Sequence, residues 1–118
     1  MSPSGPPPTM EADLVAWGKA IVLETTGRHS GLPRRVTIGF VEVEGSLLVA
    51  SASPASHWAR NLAAGPACHV ELRGERRAYR ALPLAGAEHD RAVSALILKY
   101  GTPAERLGGG LGFRLEPV

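Results

Sequence analysis

The chain has 118 residues, enough for one domain with one core and too few for a separate substrate domain beside it. Its 44% hydrophobic and 20% charged residues match an ordinary globular protein and exclude a disordered or fibrous one. Thirteen Lys and Arg against eleven Asp and Glu leave a small basic excess, and because only Lys19 and Lys99 are lysines the cations are mainly guanidinium groups, which suit carboxylates and phosphates.

Residues 2–9 read SPSGPPPT, a stretch that buries nothing apolar and whose prolines refuse helix and ladder hydrogen bonds. Residues 1–9 are therefore expected to be a disordered tail, ahead of a single domain over residues 10–118. Leu14, Val15, Ala16 and Trp17 predict a short helix over residues 10–19, ended by Gly18. A β-branched run over residues 20–25 predicts a strand, and the turn-rich residues 26–33 a tight loop. Residues 35–44 place Val36, Ile38 and Phe40 on one face and then shift to Val41 and Val43, which predicts a strand that is either bulged or a barrel wall buried on both sides. Glu44-Gly45 turns it into a partner over residues 47–51, as a hairpin.

Trp58 and Leu62 at helical spacing, with Gly65-Pro66 behind them, predict a two-turn helix over residues 56–64. Cys68, Val70 and Leu72 alternate with polar residues in a half-buried strand, and Gly74 turns it into another over residues 76–84. Val93, Leu96, Ile97 and Tyr100 mark one face of an amphipathic helix over residues 87–100, closed by Gly101-Thr102-Pro103. Leu111, Phe113 and Leu115 alternate in a last strand. No parallel strand–helix–strand rhythm occurs, so the expected fold is mainly β: a small antiparallel barrel with short helices at its rim.

The segment that carries chemistry is TTGRHSGLPRR, residues 25–35. It supplies hydroxyls, glycine N–H groups and three arginines at close range, as an anion requires. It has neither the GK[ST] of a Walker loop nor the spacing of a dinucleotide GxGxxG. A polar loop with solvated arginines is the alternative reading of the same residues.

The run ETTGRHSGLPR resembles the TTxGRxSGxxR signature of the deazaflavin-dependent nitroreductase family, whose members are split β-barrels related to pyridoxamine phosphate oxidases and bind coenzyme F-420. A second motif stands in the family's order: Val49-Ala50-Ser51, Trp58, Asn61-Leu62, Gly65-Pro66 and Val70. The likeness covers about residues 20–85. It implies a split, FMN-binding-like antiparallel barrel that acts as an oxidoreductase, transferring hydride between coenzyme F-420 and a small organic substrate. It further implies that Arg28, Ser30, Gly31 and Arg34 bind the cofactor's phosphate and acidic tail, while Ser51, Trp58 and Asn61 line its other side. Trp58 is also expected to pack its helix on the barrel. Residues 52–59 are about three shorter than in the family and lack its Lys and glycines, His29 replaces a frequent Lys, and Thr37 a frequent Pro. FMN in a related barrel, or no cofactor, are the alternatives these departures leave, and a non-catalytic cofactor-binding protein is a further one.

A barrel this small leaves a groove that a second subunit can complete, so a homodimer is expected. The four histidines fit no paired ligand motif and a lone Cys68 supplies neither a zinc site nor an internal disulfide, so no metal is expected and Cys68 reads as a buried inert thiol. No aromatic platform accompanies the arginines, which argues against nucleic acid as a partner. No apolar run is long enough to span a membrane and no signal peptide is evident, so a cytoplasmic location without integral membrane association is expected.

Overall fold

A computed structural model describes residues 18–118, apart from the side chains of Thr102, Pro103 and Glu105; the expected tail and the helix carrying Trp17 lie outside the described residues. The chain runs β1 (Ile21–Thr26), β2 (Pro33–Ile38), β3 (Val41–Val43), β4 (Ser46–Ala50), α1 (His57–Ala64), β5 (Ala67–Leu72), β6 (Glu75–Leu84), α2 (Gly86–Tyr100), a 3-10 stretch (Thr102–Gly109) and β7 (Gly112–Pro117).

All seven strands form one sheet in the order β2-β1-β5-β6-β7-β4-β3, and every pairing is antiparallel. Its two edges, β2 and β3, are consecutive in sequence and joined only by Gly39 and Phe40. The three residue steps from Ile38 to Val41 span at most about 11 Å, so the sheet has to curl until these ends of its two edges come together. That is a barrel split between β2 and β3. Strand alternation fills it: Ile21 and Leu23, Leu47 and Val49, Cys68 and Val70, Tyr79 and Ala81, and Phe113 and Leu115 point inward with Phe40 and Leu62. Burial pushes the Cys68 thiol up to about 11, and its Sγ lies 3.6 Å from the carbonyl oxygen of Tyr79, as expected of an inert core thiol.

The strand expected over residues 35–44 is instead two strands bent apart at Gly39-Phe40. The cause is α2. The Tyr100 hydroxyl donates to the Lys19 carbonyl at 2.6 Å and accepts the Phe40 N–H at 3.0 Å. Lys99 Nζ donates to the Phe40 carbonyl at 2.7 Å and lies 3.6 Å above the centre of the Phe40 ring. A Cβ on Gly39 would come within 2.9 Å of the Tyr100 ring, so only glycine lets the phenol approach the crossing. Tyr100, expected among the core residues of α2, is thus spent on the crossing. Leu96 instead packs with Ala50 and Ala104 in a second small cluster that Val41, Ile97 and Leu107 adjoin. Gly101 does not release the chain into a loop, since the 3-10 stretch follows at once.

The hairpin turns Glu44-Gly45 and Arg73-Gly74 have positive φ at both residues, the conformation that continues the twist of the flanking strands. Tyr100→Phe keeps the ring but strands the Phe40 N–H, so unfolding stability should drop by about 1–3 kcal/mol. Urea denaturation of the variant checks this, and an unchanged midpoint would mean that the phenol does not hold the crossing.

Candidate functional site

The β1–β2 loop, residues 27–32, is folded on itself. Gly27 N–H donates to the Leu32 carbonyl at 2.8 Å, Gly31 N–H to the Gly27 carbonyl at 2.8 Å, and Leu32 N–H to Ser30 Oγ at 3.1 Å. A Cβ on Gly27 would lie 2.6 Å from Ser30 Oγ and 3.2 Å from the Leu32 carbonyl oxygen, so a larger residue there would have to displace the Ser30 hydroxyl.

Asn61, on α1, ties this loop to the barrel. Its Oδ1 accepts the Arg28 backbone N–H at 3.2 Å and Arg28 Nη1 at 2.8 Å, while its Nδ2 donates to Thr25 Oγ1 at 3.1 Å. Both Asn61 and Thr25 are buried. Thr25, read from sequence as part of an anion-binding run, is instead the internal acceptor for Asn61. The remaining edge of the Arg28 guanidinium reaches α1: Nη1 lies 3.4 Å from the His57 carbonyl and Nη2 3.4 Å from His57 Nδ1. Arg28 Nε is buried and has no hydrogen-bond partner among the described residues.

Between loop, β2 and the start of α1 opens a groove of about 670 Å³, lined from the loop by Gly27, Arg28, His29 and Ser30. Arg34, Arg35 and Val36 of β2, and Ser56, His57, Trp58 and Asn61 at α1, complete the lining. No carboxylate contributes to it among the described residues. Ser56 makes no side-chain cap on α1, so the first N–H groups of the helix add positive potential at the groove. Trp58 is half-buried; its ring centre lies 6.3 Å from that of Phe113 at an interplanar angle of 56°, so it packs against the core as well as lining the groove.

Of the residues expected to bind a cofactor, the structure brings Arg28, Ser30, Arg34, Trp58 and Asn61 to one groove. Gly31 sits in the loop at φ +73° without lining it. Ser51 does not line this groove. It is buried at the end of β4, where its Oγ donates to the Ser53 carbonyl at 2.8 Å and accepts the Leu111 N–H at 2.9 Å, so it fastens the 51–56 turn to the start of β7 rather than facing the groove. Asn61 lines the groove, and its amide is also engaged by protein partners. The sequence reading missed His57. Its place next to Trp58, at the first residue of α1, was the available signal.

The three arginines of the loop motif all line the groove, but Arg35 is also engaged by a carboxylate across the sheet. Arg35 pairs across the sheet with Glu24, and Arg34 with Thr25, so alternation sends them to opposite faces. Glu24 receives Arg35 Nε at 2.9 Å and both terminal nitrogens of Arg76, at 3.1 and 3.0 Å. These hydrogen bonds, from Arg76 first and then Arg35, hold the Glu24 carboxyl down from 4.5 to about 2.

Residues 11–106 match the family model described as F420H(2)-dependent quinone reductase. No curated protein matches the sequence. Among solved structures, the chain is similar to an F420-H2 dependent reductase, FDR-A, at 22% identity and TM-score 0.70, over 83% of this chain and 94% of that one. It is similar to the heme storage protein HutZ from Vibrio cholerae at 18% identity and TM-score 0.71, over 90% of this chain and 86% of that one. It is also similar to a protein solved as a domain-swapped dimer, at 23% identity and TM-score 0.68, over 83% and 80% of the two chains. These three likenesses establish the fold. Among the described residues no helix is long and apolar enough to cross a membrane.

Two outcomes follow from the site's bonding. Asn61→Ala strands the buried Thr25 hydroxyl and the Arg28 N–H and should cost about 1–3 kcal/mol in urea unfolding. Arg28→Ala leaves the backbone N–H on Asn61 and should cost less than about 1 kcal/mol; equal losses would show that the guanidinium, not the amide, anchors the loop. For Glu24, a lowered folded-state value gives stabilisation that is full above the ordinary carboxylate range and lost as pH falls through about 2. The melting-temperature gap between wild type and Glu24→Gln should therefore be constant above about pH 5 and close on acidification. A gap independent of pH would remove the ion pairs as its cause.

Proposed function

Because the chain belongs to the F420H(2)-dependent quinone reductase family, we propose that it is an oxidoreductase that holds coenzyme F-420 in the groove between the β1–β2 loop and α1 and exchanges hydride between it and a small organic substrate. The observation that carries this reading is the groove's charge. Arg28, Arg34 and Arg35 line it, the start of α1 adjoins it without a side-chain cap, and no described carboxylate lines it. A buried, unpartnered Arg28 Nε fits a site built to receive an anion's oxygen. The volume of about 670 Å³ lies in the range of small-molecule and cofactor sites.

Arg28, oriented by Asn61, and Arg34 hold the phosphate and the acidic tail. Ser30 and Gly31 shape the loop that carries them, and Asn61 acts by positioning. Trp58 lies along the groove and limits where a ring system can rest. The deazaflavin, when bound, supplies the hydride chemistry. The chain's own residues bind and orient it, and none of them acts as a nucleophile. A single domain over residues 10–118 carries the site, and a second copy of the chain completes it as a homodimer. The likeness to a protein solved as a domain-swapped dimer supports that assembly.

Titration with coenzyme F-420 and with FMN, at low and high salt, tests the assignment. Coenzyme F-420 should bind more tightly, with a preference that shrinks as salt screens the arginine contacts. Arg28→Ala and Arg34→Ala should each weaken binding about tenfold or more, as loss of a charge-assisted contact does. Tighter FMN binding at every salt concentration would move the assignment to FMN, and unchanged affinity in both variants would remove this groove from it.

A further inference from the structure

We propose that Arg35 is a further anion-binding residue of the groove, and that Arg76, which lies outside it, keeps Arg35 available by occupying the carboxylate of Glu24; this rests on the groove being the coenzyme F-420 site. Arg35 lines the groove together with Arg28 and Arg34, from the edge strand β2. Its Nε donates to Glu24 Oε2 at 2.9 Å, which fixes the stem of the side chain. A guanidinium has further N–H groups on its two terminal nitrogens, and those of Arg35 donate to no group among the described residues. The side chain is 64% exposed, so these donors are open to a ligand.

The carboxylate that holds Arg35 is also what could disable it. Guanidinium and carboxylate favour two parallel hydrogen bonds, and in that geometry Glu24 would take a terminal nitrogen of Arg35 as well as Nε. Arg76 stands in the way. Its Nη2 donates to Glu24 Oε1 at 3.0 Å and its Nη1 to Oε2 at 3.1 Å, so both oxygens are engaged before Arg35 can turn a second donor to them. Arg76 makes this pairing in preference to a nearer carboxylate. In the register it stands directly across from Glu71 of β5, which is level with Val22, yet among the described residues its ion pair is with Glu24, two positions farther along β1. Glu24 is the most sheltered of the three, its side chain 15% exposed against 47% for Arg76, so water competes least at the carboxylate. Two guanidiniums and one carboxylate leave a single net positive charge, and Arg35 is the member that carries it to the groove. Without Arg76 the remaining pair is neutral and closed on itself.

Two variants break the same ion pair with opposite consequences for coenzyme F-420 affinity, measured by titration at low and high salt. Arg76→Met frees both oxygens of Glu24 for Arg35, so affinity at low salt should fall about two- to fivefold. Glu24→Gln keeps an acceptor for Arg35 Nε but removes the charge that draws the guanidinium away, so affinity should rise by about the same factor. Both effects should vanish in an Arg35→Met background, where affinity is already reduced, and both should shrink as salt rises. Damage to the outer face would lower affinity in both variants, so opposite signs separate the proposed role from a structural one. Changes of the same sign, or an unchanged affinity in either variant, would overturn the proposal. Effects that persist without Arg35 would overturn it too, leaving Glu24 and Arg76 as distant charges only. Binding unaffected by Arg35→Met would do the same while the cofactor site on Arg28 and Arg34 stands. Absence of coenzyme F-420 binding by the wild type at any salt would overturn both readings together.

Discussion

Asn61 can bury its amide only because segments distant in sequence each bring it a partner. Thr25 Oγ1 comes from β1, and the loop brings the N–H and guanidinium of Arg28. Bonds of this kind strengthen in a medium of low polarity, and an unmade one costs correspondingly more. The seating of α1 on the barrel, the path of the β1–β2 loop and the orientation of Arg28 are therefore one constraint rather than three. The start of α1, with its N–H groups, cannot drift away from the arginine beside it without breaking the amide's bonds.

The opposite wall of the groove is governed from farther away. β2 is an edge strand, hydrogen-bonded to β1 on one side, and its end is set by the bend at Gly39-Phe40. Tyr100 and Lys99 hold that bend from the end of α2. Burial draws the Lys99 ammonium below its ordinary range, with Arg73 acting in the same direction; a cation in such surroundings is kept by the Phe40 carbonyl and ring it rests on. The split that leaves a groove beside β2 is thus maintained by the C-terminal half of the chain, although every residue lining the groove lies in the first half or in α1.

Much of this was legible because short-range rules governed it. Period-two alternation in residues 68–72 and 111–115 gave inward faces that the core confirms, and Glu44-Gly45 and Gly74 marked turns whose backbone demands were local. The loop motif and Trp58 with Asn61 pointed to two distant segments that the structure brings to one groove. What sequence did not show were the places where a side chain answers to a distant partner. The break at Gly39-Phe40 depends on a phenol sixty residues away, and Ser51 turns to Leu111 across an equal separation.

Strand alternation also explains why a run of arginines need not act together. Arg34 and Arg35 are neighbours in sequence, yet β2 sends one toward the face of Thr25 and the other toward Glu24, where Arg76 joins it. The outer face thereby gains a carboxylate shared between two guanidiniums. Because Glu24 is taken up there, it does not neutralise Arg28 or Arg34, and the inner side keeps its positive potential. A single register shift of β1 against β2 would exchange these partners, bringing Glu24 to the groove and cancelling the charge it depends on. The register that buries Ile21, Leu23 and Thr25 is thus the same one that turns Glu24 away from them and toward Arg35 and Arg76.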